Sequence, residues 1–112
     1  MGPIGELDDI RRVRLLATQT RLQVLRSELS LALTFCAVAR TEIAYGQLAQ
    51  AQAVLRKAQH TATSVRSHID ELYSFSAVAT ELLIEQLLEV ENRILEVQGQ
   101  IALCKYDEPE PD

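Results

Sequence analysis

The chain has 112 residues, a length that fits one domain, and 47% of them are hydrophobic, enough for a real core. Its net charge of −5 argues against a nucleic-acid backbone as main partner, which needs clustered Lys and Arg. Only five residues are aromatic, and between Gly5 and Pro109 the only helix breakers are Gly46 and Gly99, so Leu, Ile, Val and Ala fill an all-α interior.

The first helix is expected over about 6–45. Glu6, Asp8 and Asp9 put negative charge in its first turn, where the helix dipole favours it. Leu22, Leu25, Leu29, Ala32, Cys36, Ala39 and Ile43 alternate spacings of three and four, a heptad seam that stops at Gly46. A second seam recurs every seventh residue at Ile10, Ala17, Val24, Leu31, Val38 and Tyr45. With Leu33 and Phe35 added, Leu29–Ala39 is apolar nearly all round, the pattern of a helix buried on more than one side. That run is too short to span a bilayer, and no signal peptide is visible, so the expectation is a cytoplasmic protein.

The second helix is expected over about 47–72, with one narrow seam of Leu48, Ala51, Leu55, Ala58, Ala62, Val65, Ile69 and Leu72. Its alanines let a neighbouring backbone approach closely. "YSFS" at 73–76 forms the next corner, where Ser74 or Ser76 caps a third helix over about 76–104. The third seam is Leu83, Leu87, Val90, Ile94, Val97, Ile101 and Cys104, with Ile84, Leu88 and Leu95 as a shorter stripe. Residues 105–112, "KYDEPEPD", read as a disordered acidic tail. After Tyr73 there are two bases against nine acids, so this end is the acidic pole.

Short corners between three helices predict an antiparallel up-down-up bundle with coiled-coil-like heptad packing, one domain over 1–104. The second and third helices span about 40 Å while the first approaches 60 Å at 1.5 Å per residue. Residues 7–20 would therefore project, carrying Leu7, Ile10, Val13, Leu15, Leu16 and Ala17. Leaving such side chains wet forgoes about 1.5–3 kcal/mol for each large one. Either a second chain covers the arm or the helix breaks near Thr18–Thr20 and folds back. Thr and Gln are weak breakers, which favours the second chain.

Chemistry is sparse. His60 and His68 lie on the polar side of the second helix, and no pair of Glu-x-x-His motifs supports a metal. Cys36 and Cys104 sit on apolar faces roughly 20 Å apart along the bundle, beyond disulfide reach. Glu81, Glu85 and Glu89 recur every fourth residue, either as a solvated face or as a counter-surface for Arg11, Arg12, Arg14, Arg21 and Arg26 of a neighbouring arm. No nucleophile motif, glycine-rich phosphate loop or zinc spacing appears.

One stretch, residues 32–65, carries a resemblance. Phe35, Val38 and Ala39 followed by Gly46, Ala51, Leu55 and Ala58 resemble one tetratricopeptide-like hairpin, or the related microtubule-interacting-and-transport module. Thr63 stands where the repeat usually ends in proline, and no second repeat follows. The resemblance implies a peptide-binding adaptor, with exposed Gln50, Arg56 and Lys57 as the residues to test.

The sequence thus points to a non-catalytic helical assembly module without catalytic, metal or cofactor-binding residues, with neither nucleic acid nor membrane as partner. A homodimer is expected, formed through Ile10, Leu16, Ala17, Val24, Leu31 and Val38, with a further protein or peptide partner at Gln50, Arg56, Lys57, Glu81, Glu85 and Glu89. The competing class is a bundle enzyme or ligand carrier with a site between helices, which would need inward-facing polar residues.

Overall fold

The structure, a computed structural model, describes residues 3–107. All its regular structure is helical: α1 (Pro3–Ala44), α2 (Leu48–Ser67), α3 (Ile69–Tyr73) and α4 (Ala77–Asp107). The molecule is a rod of 84 × 18 × 16 Å. Four helices stand where three were expected, and the differences have local causes.

The long first helix does not break at Thr18–Thr20; it runs unbroken from Pro3 to Ala44. It ends in a Schellman motif. Gly46 takes φ +77°, its N–H donates to the Ile43 carbonyl (3.0 Å), and the Gln47 N–H donates to the Glu42 carbonyl (2.8 Å). Only glycine enters that left-handed conformation without a Cβ penalty, which is why the seam stops here.

The single helix expected over 47–72 is instead divided at His68. The His68 N–H donates three residues back to the Val65 carbonyl (3.0 Å), and the Ser67 hydroxyl donates to the Ser64 carbonyl (2.6 Å). These tighter bonds pinch the helix for one residue without a Gly or Pro. Val65, Ile69 and Leu72 remain buried on either side, so the apolar seam passes through the pinch intact. Of the two histidines read as solvated, His60 is exposed, while His68, at the pinch, is half-buried.

At the next corner the Phe75 N–H donates to the Leu72 carbonyl, and Ser76 caps α4 by accepting from the Ala79 N–H (3.3 Å). Thr80 is fully buried, and its hydroxyl is satisfied by the Ser76 carbonyl (2.6 Å). α4 continues to Asp107, so residues 105–107 belong to the helix; the rest of the expected disordered tail lies outside the described residues.

α1 packs along both α2 and α4, and α2 packs on α4. The core contains Leu25, Leu29, Ala32, Cys36 and Ala39 from α1, and Ala51, Leu55, Ala58, Ala62 and Val65 from α2. Ile69 and Leu72 add to it from α3, and Leu83, Leu87, Val90, Ile94, Val97 and Ile101 from α4. Leu22, Ile43, Leu48 and Cys104 at the seam ends are half-buried. Three polar ties fix the heights of the helices. Arg21 Nη1 donates to Glu71 Oε1 (2.8 Å), Arg66 forms an ion pair with Glu91, and Gln86 Nε2 donates to the Arg26 carbonyl (3.1 Å) and Ser30 Oγ (3.2 Å). These groups are well exposed, and such pairs contribute only about 0–1 kcal/mol each. Apolar packing holds the rod together.

Leu29–Ala39 is not buried on two sides in the single chain: Leu31 and Val38 face outward at 51% and 40% exposure. Within the unbroken helix, moreover, one 18-residue window inside Asp8–Ala44 meets the length and composition of a membrane span, which the shorter run did not. A core helix passes the same test, and this one supplies five of the core residues above.

Candidate interaction surface

The back of α1 carries the molecule's longest exposed apolar feature. At 100° per residue, seven residues return to within about 20° of the starting direction, so residues seven apart form a line. Ile10, Ala17, Val24, Leu31, Val38 and Tyr45 make that line, and every one is exposed. The buried line of Leu25, Leu29, Ala32, Cys36 and Ala39 lies about 120° away around the same helix. α1 therefore has an inner and an outer apolar face.

Three residues after each member of the line from Ile10 to Val38 comes a second row, Val13, Thr20, Ser27, Thr34 and Thr41, which is small or hydroxyl-bearing everywhere except Val13. This second row escaped the hydrophobicity count because its members are mostly polar by type. Its signal was the same seven-residue recurrence. Thr34 and Thr41 donate their hydroxyls to the carbonyls of Ser30 and Ala37, both at 3.2 Å. Covering these two threonines would strand no donor, which suits a surface that becomes buried. A shallow hollow of about 410 Å³ lies on the line, between Thr20, Gln23, Val24, Ser27, Glu28 and Leu31.

Below Leu22 the outer face belongs to a free-standing arm. Ile10, Val13, Leu15 and Leu16 are 50–65% exposed. The arm leaves the bundle beside the α3–α4 corner, where exposed Phe75 separates two open hollows of about 280 and 350 Å³. Arg14 and Thr18 line both, and Leu15 lines the second.

The six residues expected at a self-contact all lie exposed on α1. Ile10, Ala17, Val24, Leu31 and Val38 share the outer line, and Leu16 borders it next to Ala17. The other expected partner residues do not converge. Glu81, Glu85 and Glu89 are exposed on α4. Gln50, Arg56 and Lys57 are exposed on α2, where the Lys57 ammonium sits 6.0 Å from the centre of the Phe35 ring and Arg56 borders a hollow with Gln98 and Ile101 of α4. Arg21, assigned to a neighbouring copy's glutamates, is held by Glu71 of its own chain. Also exposed, and not singled out beforehand, are Tyr73, Phe75, Val78, Leu82 and Leu103.

Groups suited to chemistry stay apart. Among the described residues no three His, Cys, Asp or Glu side chains come together. Both cysteines are free thiols; burial pushes the Cys36 thiol above its ordinary value, partly opposed by the charge of Arg93. Comparison of the chain with protein families, curated proteins and solved structures finds no match.

Proposed function

We propose that the chain is a non-catalytic helical assembly module of the cytoplasm that self-associates through the outer face of α1. In this reading α1, the α2–α3 rod and α4 run up, down and up with heptad-like seams, and the tetratricopeptide-like features at Gly46, Ala51, Leu55 and Ala58 serve a close-packed corner. The observation that carries the proposal is the unbroken exposed line from Ile10 to Tyr45, continued onto an arm whose Ile10, Val13, Leu15 and Leu16 stay 50–65% exposed. Soluble single chains seldom leave so long an apolar strip in water; strips of this kind mark contact surfaces. The interior contributes a second support: among the described residues Thr80 is the one fully buried polar side chain, and its hydroxyl is satisfied locally by the Ser76 carbonyl.

Light scattering on the full chain tests this directly. A dimer mass is expected. Leu31→Glu should return the monomer mass while keeping the helical circular dichroism, because Leu31 is 51% exposed and stands outside the buried core. A wild-type chain that stays monomeric at concentrations well above micromolar defeats the proposal.

A further inference from the structure

The outer face of α1 fits a reversed copy of itself. Its large and small residues alternate, so an antiparallel neighbour sets Ile10 against Thr41, Val24 against Ser27, Leu31 against Thr20 and small Ala17 against Thr34; only Val38 meets another large residue, Val13. From this we infer that the partner is a second copy of the chain, lying antiparallel with α1 on α1 and centred between Leu25 and Arg26. The inference rests on the self-association reading above and adds orientation and register to it.

Charge points the same way. Along one edge of the outer face the first half of α1 carries Arg14 and Arg21, and the second half carries Glu28 and Glu42. Reversal brings Arg21 beside the partner's Glu28, and Arg14 near the partner's Glu42. Among the described residues neither glutamate forms an ion pair within its own chain. Arg21 gives only Nη1 to Glu71, and the remaining N–H groups of its planar fork are free for a second carboxylate. A parallel pair would instead set the arginine-bearing arms side by side, stack Leu31 on Leu31, and leave Ser27 against Ser27. Charge selects orientation in helix pairs of this kind more than it adds affinity.

The register also accounts for the length of α1. In the antiparallel pair, arm residues 8–20 lie along residues 31–43 of the partner, where α1 is backed by the bundle. Each arm then has a surface to rest on, and neither stands in water.

Cysteine cross-linking reads the orientation. In a Cys104→Ser background, Thr20→Cys chains and Leu31→Cys chains of different tag length are mixed, equilibrated and oxidised with copper phenanthroline. Both positions are exposed, so neither substitution disturbs the fold, and Cys36 is buried. The expected product is a disulfide-linked heterodimer from the mixture, with neither chain linking to itself. In the antiparallel pair like positions stand about 16 Å apart along the axis, beyond disulfide reach. A dimer in which Leu31→Cys links to itself, or in which the mixture does not link, overturns the inference and leaves self-association standing. A wild-type chain that is monomeric by light scattering overturns both, including one that then floats with phosphatidylcholine–phosphatidylserine vesicles, whose occupant would be lipid.

Discussion

The two apolar faces of α1 are regular hydrophobic stripes on the same helix, and they meet opposite fates. On the inner face Leu25, Leu29, Ala32, Cys36 and Ala39 are at most 5% exposed; on the outer face Val24, Leu31 and Val38 are 40–51% exposed. The difference lies in company, not in composition. α2 and α4 cover one side of α1, and among the described residues no further helix covers the other. α2, by contrast, buries its alanine-rich seam and presents mostly polar residues elsewhere. A second periodic stripe is therefore a statement about the number of neighbours a helix expects.

The largest test of that contrast compares leucines two residues apart. Leu29→Ala should lower unfolding free energy by about 2–5 kcal/mol, because the side chain is fully buried and a cavity remains. Leu31→Ala, measured in denaturant at concentrations too low for association, should cost less than about 1 kcal/mol, since surface changes of this kind are small. Comparable losses at the two sites would mean that the faces are not distinct in the monomer.

Thiols give the next contrast. At concentrations too low for association, the native Cys36 should react slowly with a thiol reagent and a Thr34→Cys thiol quickly, because the thiolate is the nucleophile and the buried thiol is held protonated. The same shift sets a pH trend. Cys36 binds its proton more tightly folded than unfolded, so its contribution is complete below the ordinary thiol value of 9.0 and is lost as pH rises through the higher folded one. Alkaline melting with and without Cys36→Ala would reveal the trend as a steeper loss in the wild type.

Thr34→Val should leave monomer stability nearly unchanged and tighten association by roughly 1 kcal/mol or less, since its hydroxyl already bonds within the helix. Weakened association would show that the hydroxyl is used between chains. Smallest of all, an Arg21–Glu71 double-mutant cycle should return about 0.2–1 kcal/mol, as both groups are substantially exposed. That pair sits where the arm departs, so a larger coupling would mark the junction as rigid.

Much of this architecture was legible from residue spacing. Alternating steps of three and four located the inner seams of α1, α2 and α4, because burial on one side of a helix imposes that rhythm. The Gly46 corner was legible because one residue type serves a left-handed stop. The pinch at His68 was not: a Ser67 hydroxyl and one three-residue-back bond create it, and neither leaves a compositional mark. Nor did spacing say which stripe would be inside. Ile10–Tyr45 repeats as regularly as the buried line, and only the placement of α2 and α4 separates them. The row of Thr20, Ser27, Thr34 and Thr41 stayed hidden because its members count as polar, although two of their hydroxyls are spent on their own helix.

The rod's proportions reach into how the protein behaves in a tube. At 84 Å by 18 Å it is roughly five times longer than wide, so it drags through water like a larger sphere. A lone copy would leave a sizing column early, mimicking a pair. It would also spin readily about its long axis and sluggishly end over end, so amides pointing along the helices would relax unlike bonds set across them.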